Sequence, residues 1–170
     1  MIGRPVYTLH RQHWVPRTLQ ETFEFFEQPR NLPLITPPWL DFRILTPEPL
    51  RMARGVTIDY HVRVLGMRTH WRSLISEYDP PHAFRDVQVI GVYRLWDHSH
   101  RFRREDGGTV IEDFVVYEPP LGPVGALMNR LLIDRQLRAI FDYRRRRVDE
   151  LLLGHARGRP GDARGTEDAA

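Results

Sequence analysis

Cysteine and lysine are both absent from this sequence, and serine is scarce. All 25 of its Lys+Arg positions are arginine, and the only serines are Ser73, Ser76 and Ser99. Without cysteine there are no disulfides, thiolate nucleophiles or cysteine metal ligands. Without lysine there is no Schiff-base chemistry and no phosphate-gripping P-loop lysine. None of the serines lies in a G-x-S-x-G context, which excludes the nucleophile elbow of a serine hydrolase.

Charge and hydropathy are ordinary for a globular protein. The 170 residues carry a formal net charge of +3, with 41% hydrophobic and 28% charged residues. Charge is scattered rather than clustered around a reading motif, so we expect no nucleic-acid partner. No apolar run reaches the length of a membrane span, and the N-terminus lacks a signal-peptide pattern, so we expect a cytoplasmic protein.

The N-terminal third predicts one strand followed by two short helices. Val6–Val15 is bounded by prolines and suits a strand. Thr18 and Glu21 have capping-box spacing, which predicts that a helix begins there and runs from Leu19 to Glu27. A second helical turn follows at Asn31–Ile35.

The middle of the chain predicts an antiparallel meander. Apolar and polar residues alternate from Val56 to Val64, as expected for a half-buried strand. Asp106–Gly107–Gly108 has the composition of a hairpin turn. The predicted strands are Leu40–Leu45, Val56–Val64, Met67–Tyr78, Ala83–Val89, Val92–Arg103 and Thr109–Tyr117.

The C-terminal part predicts one long helix and a tail. Apolar residues repeat near the helical period from Val124 to about Leu153, which at 1.5 Å per residue spans roughly 45 Å. Residues 154–170 contain no large apolar side chain, and we expect a disordered tail. The domain itself is predicted to cover residues 1–153, with an α+β fold in which a curved antiparallel sheet wraps around the long C-terminal helix.

The stretch Phe84–Phe102 concentrates polar and aromatic groups that are suited to a pocket wall. It is predicted to form two strands joined at Gly91. Side chains alternate between the faces of a strand, so Asp86 and Gln88 share one face of the first strand. A single row on the second strand is formed by Trp96, His98, His100 and Phe102.

Three interpretations of this polar group remain open. His98 and His100 have a spacing that can chelate a metal, with Asp86 as a third ligand, but no further ligand stands at a recognisable spacing. We therefore predict no metal and no cofactor. The same three residues could transfer protons near neutral pH. In the structural alternative the imidazoles are satisfied by hydrogen bonds, and Asp86 pairs with Arg94 or Arg72.

Two further residues are candidate ligand contacts. Trp39 is held rigidly after paired prolines, and either plugs one end of the core or contacts a ligand. Arg144 continues the apolar spacing of the long helix. It therefore forms an internal ion pair with an acid such as Asp113 or recognises an anionic group of the ligand.

The order of elements and a set of local motifs resemble the START/polyketide-cyclase superfamily (SRPBCC), whose fold is the helix-grip fold. The resemblance spans about Val6 to Leu152. It is carried by Phe23–Phe26, Asn31–Leu32, Thr36–Pro37–Pro38–Trp39, Gly55, Trp71, Pro80–Pro81, Phe84–Arg85–Asp86, Trp96–Asp97–His98–Ser99–His100–Arg101–Phe102, Gly108–Thr109, Tyr117 and Ile140–Phe141–Asp142–Tyr143–Arg144.

The resemblance implies a cavity for a hydrophobic or aromatic small molecule such as a lipid, a quinone or a polyketide-like compound, without implying a single activity. Binding or carriage is our first hypothesis. The alternatives are a cyclase- or dehydratase-like enzyme that uses His98, His100 and Asp86, and a regulatory protein that binds a partner. A transient membrane contact and a homodimer also remain open. The predicted ligand contacts are Trp39, Asp86, Gln88, Trp96, His98, His100, Phe102, Leu131, Leu137 and Arg144.

Overall fold

The computed structural model describes residues 5–154. The predicted tail therefore lies outside the described residues, except for Gly154, which is the last residue of the final helix.

Seven strands form one antiparallel sheet in the order β1-β7-β6-β5-β4-β3-β2. Every strand from β2 to β6 pairs with the next one along the chain, and β1 pairs with β7. The predicted antiparallel meander is confirmed. The strands are β1 (Tyr7–Val15), β2 (Arg43–Ile44), β3 (Thr57–Val64), β4 (Met67–Asp79), β5 (Ala83–Ile90), β6 (Leu95–Glu105) and β7 (Gly108–Glu118).

Two short helical regions follow β1, as predicted. The α1 helix (Leu19–Glu27) begins with a capping box, in which the Thr18 hydroxyl accepts from the Glu21 N–H and the Glu21 carboxylate accepts from the Thr18 N–H. Two 3₁₀ helices, Pro29–Ile35 and Pro38–Leu40, then carry the chain to β2.

The C-terminal region is helical from Gly122 to Gly154, but it is not one uniform α-helix. It consists of α2 (Gly122–Met128), a π-helical turn (Asn129–Ile133) and α3 (Asp134–Gly154). The apolar period that predicts helix does not distinguish α from π hydrogen bonding, because one wider turn shifts the period only locally.

The strand predicted at Val92–Arg103 begins three residues later, at Leu95. Gln88 explains the difference. Its side chain donates to the Tyr93 carbonyl at 2.6 Å and accepts from the Tyr93 N–H at 3.2 Å, which holds the β5–β6 connection away from strand pairing.

The core consists of two groups of buried side chains on the same side of the sheet. One surrounds Phe23, whose ring lies 5.4 Å from that of Phe102 and 6.1 Å from that of Phe84. The other includes Trp71 and Tyr117 from the sheet and Leu137 and Phe141 from α3. Since α3 packs on both groups, it lies along the inner face of the sheet, as the helix-grip prediction requires.

Candidate ligand-binding cavity

A cavity of about 190 Å³ lies between the inner face of the sheet, the 3₁₀ segments and α3. Its wall is mostly apolar and includes nine aromatic side chains from α1, the sheet with its connections, and α3. The aromatic residues that line it are Phe25, Phe26, Phe42, Tyr60, Trp71, Phe84, Tyr93, Trp96 and Phe141.

Neighbouring strands bring the central aromatic residues of the wall together. The Tyr60 and Trp71 rings face each other across the β3–β4 pair and are stacked with centroids 6.1 Å apart. Trp96 packs edge-on to Trp71 at 5.4 Å and lies 5.0 Å from Tyr93. These rings present both ring faces and ring edges on the wall, which suits contact with another ring.

Strand register also assembles a buried group of acids and histidines, named the His–Asp cluster: Asp86, His98, His100 and Asp113. Asp86 on β5 is directly opposite His98 on β6, and Asp113 on β7 is directly opposite His100. His98 and His100 are 4% and 5% exposed, and their rings are 3.8 Å apart. The two imidazoles therefore lie between two carboxylates.

Each carboxylate of the cluster contacts both histidines. His98 Nε2 lies 2.9 Å from Asp113 Oδ1, and His100 Nε2 lies 3.1 Å from Asp86 Oδ2. The other two nitrogens make longer or less well-directed contacts. His98 Nδ1 is 3.7 Å from Asp86 Oδ2, and His100 Nδ1 is 2.9 Å from Asp113 Oδ1 without hydrogen-bond geometry.

Two further groups extend the cluster towards α3 and β4. Arg144 Nη1 of α3 lies 3.8 Å from Asp113 Oδ1, which is the internal ion pair anticipated from the spacing of the helix. On the opposite side, Ser73 Oγ contacts Asp86 Oδ1 at 3.4 Å and the Tyr60 hydroxyl at 3.1 Å.

The pKa values of the two histidines are shifted in opposite directions. Burial would lower the pKa of His100, but its contacts with Asp113 and Asp86 outweigh that effect and raise it. Burial and the neighbouring charge of His100 lower the pKa of His98. Burial would raise the pKa of both carboxyls, yet His100 and His98 hold the pKa of Asp86 below its usual value and that of Asp113 well below it.

The directions of these shifts favour a protonated His100, a neutral His98 and ionised Asp86 and Asp113. The guanidinium of Arg144 adds a second positive charge beside Asp113. The two positive charges balance the two negative ones, which limits the cost of burying them. A neutral imidazole next to an imidazolium is also an arrangement that can accept and donate protons at one place.

Six of the ten side chains predicted to contact a ligand line this cavity. Their role in binding stays a prediction. Those six are Asp86, Trp96, His98, His100, Leu137 and Arg144.

The other four predicted contacts lie elsewhere. Gln88 is occupied by the backbone of Tyr93, and Phe102 is 2% exposed in the core beside Phe23. Trp39 is 48% exposed and packs edge-on to Tyr143, with ring centroids 5.6 Å apart. Leu131 is 58% exposed in the π-helical turn.

The expected ion pair of Asp86 with Arg94 or Arg72 does not form. Arg72 Nε pairs with Asp59 at 2.9 Å, and Arg94 Nε pairs with Glu118 at 3.1 Å. Asp86 takes its positive partner from the adjacent β6 strand instead, because Arg72 and Arg94 are engaged by acids elsewhere.

Sequence reasoning missed the β3 and β4 side of the wall. Tyr60, Trp71 and Ser73 all line the cavity. The alternation of β3 indicates that Tyr60 faces the same way as Ile58 and Val62, which was a usable signal. Ser73 carries no such signal, since its place depends on a register that is fixed only in the folded sheet.

The fold and the cavity define a helix-grip protein with an aromatic-lined internal site. The chain belongs to the family described as polyketide cyclase/dehydrase and lipid transport, whose sequence profile matches residues 15–141. No curated protein matches this chain in sequence.

Solved structures show the same fold at low sequence identity. Protein TTHA0849 from Thermus thermophilus is 15% identical with a TM-score of 0.67, covering 88% of this chain and 99% of that one. Protein Ms6760 from Mycobacterium smegmatis is 17% identical with a TM-score of 0.63, covering 89% and 99%. Ginseng major latex-like protein 151 from Panax ginseng is 14% identical with a TM-score of 0.62, covering 87% and 98%.

Among residues 5–154, no helix has both the length and the apolar character needed to cross a bilayer.

Proposed function

We propose that this protein binds and carries a compact hydrophobic molecule that contains at least one ring. The observation that carries this proposal is the cavity between the sheet and α3, with its nine aromatic side chains. Largely apolar walls with a few placed polar groups are typical of small-molecule sites. Membership of the family described as polyketide cyclase/dehydrase and lipid transport supports a hydrophobic ligand in general.

The volume limits the size of the ligand. A cavity of about 150 Å³ in an engineered protein holds benzene. The cavity between the sheet and α3 is about 190 Å³, so one ring or a small fused pair fits within it. Contact with Tyr60, Trp71 and Trp96 favours an aromatic ring over an aliphatic one, because aromatic pairs gain roughly 0.5–1.5 kcal/mol beyond burial.

The His–Asp cluster sets the orientation of the ligand. Asp86, His98 and His100 line the cavity together with Arg144. A ligand with one hydroxyl or carbonyl group would direct that group at the cluster and its apolar body at the aromatic wall. A ligand without a polar group would leave these groups without any new partner, which disfavours fully apolar hydrocarbons.

Isothermal titration with 1-naphthol, a fused-ring compound with one hydroxyl, tests the proposal. Ile140 lines the cavity, so Ile140→Trp would fill part of it. Leu127 is 57% exposed and does not line the cavity, so Leu127→Trp is the matched control. We expect wild type and Leu127→Trp to bind alike, and Ile140→Trp to lose about tenfold or more in affinity, equivalent to about 1.4 kcal/mol.

Absence of binding to wild type, or equal affinity for wild type and Ile140→Trp, would contradict the proposal.

A second candidate function is catalysis of proton transfer on the bound molecule. The specific observation is the opposite direction of the pKa shifts of His98 and His100 on one cavity wall. Groups whose environments separate their pKa values in this way are typical of acid–base pairs. In this reaction class neutral His98 would accept a proton from the ligand, and cationic His100 would donate one to a ligand oxygen.

Deuterium incorporation into 2-tetralone, followed by NMR in deuterated buffer, tests this second function. Acceleration by wild type that falls by about 10²-fold or more in His98→Gln would support it, because positioned acid–base groups contribute about 10²–10⁴-fold. Equal rates for wild type, His98→Gln and buffer alone would refute catalysis and leave the binding proposal unaffected.

A further inference from the structure

We propose that Asp86, His98 and His100 form a binding site for one divalent transition-metal ion on the wall of the cavity. Each residue can offer one donor atom, and the three donor atoms lie within 4.8 Å of one another. This inference goes beyond ligand binding and does not depend on it, because the metal can be tested alone.

The distances between the donor atoms of Asp86, His98 and His100 are close to those expected around one metal ion. Zinc–nitrogen and zinc–oxygen bonds of about 2.0–2.2 Å place tetrahedrally arranged donors about 3.3–3.6 Å apart. Asp86 Oδ2 lies 3.1 Å from His100 Nε2 and 3.7 Å from His98 Nδ1. Because all three donor atoms lie within 4.8 Å of one another, shifts of the side chains would bring them around one ion.

Asp113 holds the histidines in the orientation that the site needs. Its Oδ1 lies 2.9 Å from His98 Nε2 and 2.9 Å from His100 Nδ1, the ring nitrogens that do not face Asp86. Histidine ligands in metal sites almost always direct their second nitrogen at a carboxylate, carbonyl or water, which fixes the tautomer. In this cluster Asp113 hydrogen-bonds to His98 Nε2, and it lies close to His100 Nδ1 without hydrogen-bond geometry.

Asp86 is supported in a similar way. Its second oxygen, Oδ1, contacts the Ser73 hydroxyl at 3.4 Å, which leaves Oδ2 directed at the histidines. Hydrogen bonds to a ligating carboxylate are part of the usual support of a metal site.

The two carboxylates, Asp86 and Asp113, lie on different sides of the histidines, and only the side of Asp86 faces the large cavity. Asp86, His98 and His100 line the large cavity, whereas Asp113 lines a smaller pocket of about 80 Å³ on the far side of the cluster. A metal held by the three cavity-facing residues would keep its remaining coordination positions directed into the cavity. Three protein ligands with an open position are the arrangement of catalytic rather than structural zinc sites.

The donor set indicates the class of ion. Imidazole donors suit zinc, copper, iron and nickel, and a sequence without cysteine offers no thiolate to select softer ions. The charge of the cluster also suits a cation. When both imidazoles are neutral, the two negative charges of Asp86 and Asp113 exceed the single positive charge of Arg144. The sequence already offers Asp86 as a third ligand, and the strand register places it directly opposite His98.

Equilibrium titration of the chelator-treated full chain with Zn²⁺ and Co²⁺ tests the site. We expect one ion per chain, and visible d–d bands from Co²⁺ that report nitrogen and oxygen donors in a four- or five-coordinate site. Failure of the wild-type chain to bind either ion, or Co²⁺ bands of a fully hydrated ion, would overturn the proposal without recourse to any variant.

Three variants locate the ion. His100→Gln and Asp86→Asn each remove a donor, and we expect both to lose the bound ion. Asp113→Asn is expected to weaken binding by about 10–100-fold, as is usual for an outer partner. The control is His70→Gln, because His70 belongs to a separate surface pair with Asp59 at 2.7 Å. Loss of the ion in His70→Gln with full retention in His100→Gln would refute the site.

Discussion

Replacing Asp113 with asparagine removes the negative charge that His98, His100 and Arg144 share, while the shape of the side chain is nearly kept. Asp113 is 8% exposed, and its Oδ1 lies 2.9 Å from a nitrogen of each histidine. Removing one partner of a buried ion pair typically costs about 3–5 kcal/mol, because the charge left behind is no longer compensated. His100 can release its proton in the variant, so we expect the low end, about 3 kcal/mol at neutral pH.

The effect of this substitution should depend on pH in a defined way. The folded-state pKa of Asp113 is depressed, so its contribution is present above the ordinary aspartate value of 3.8 and is lost as pH falls through the folded pKa. The folded-state pKa of His100 is raised, so its contribution is complete below 6.5 and is lost as pH rises through the folded pKa. The difference between wild type and Asp113→Asn should therefore be largest between about pH 5 and the raised pKa of His100.

Urea denaturation at a series of pH values measures this difference. The matched control is Glu112→Gln, the neighbouring residue on β7, whose carboxylate faces outwards and hydrogen-bonds to His10 and Gln12. Exposed pairs of that kind contribute about 0–1 kcal/mol, so Glu112→Gln should change the free energy of unfolding little. Equal destabilisation by both substitutions, or a difference for Asp113→Asn that is flat from about pH 4 to pH 9, would refute the assignment of cationic His100 and anionic Asp113 in the cluster.

Four further substitutions, at three positions, test the fold around the site. Phe23→Ala should cost about 3–5 kcal/mol in free energy of unfolding, because Phe23 is 1% exposed between three aromatic rings. Phe114→Ala, at a ring 42% exposed on the outer face, should cost clearly less. Thr18→Ala should cost about 1 kcal/mol through loss of the capping box, and Thr18→Ser should restore most of it. Thermal and chemical denaturation check all of these, and a cost for Phe114→Ala as large as that for Phe23→Ala would contradict the described packing.

The elements that could be predicted from the sequence are those with a strong local signal. The alternation of β3, the hairpin composition at Asp106–Gly107–Gly108 and the capping box at Thr18 each act within a few residues, so each survives into the fold. The long apolar repeat at the C-terminus predicts helix correctly. It does not reveal the π-helical turn, because the same residues favour both forms of helix.

The site could be predicted only in part, because its chemistry depends on strand register. Asp86 and His98 are twelve residues apart, and Asp113 and His100 are thirteen apart, yet each pair meets directly across neighbouring strands. Local sequence shows which side chains share a face but not which residues stand opposite each other. Gln88 does not line the cavity, because its side chain hydrogen-bonds to the loop that follows its own strand.

Native mass spectrometry of the chain purified from its own host tests most directly whether the cavity is a binding site. We expect one compact ring-containing molecule bound per chain, and its loss from Ile140→Trp prepared in the same way. A chain that carries no small molecule and also binds no 1-naphthol in vitro would contradict the proposed function.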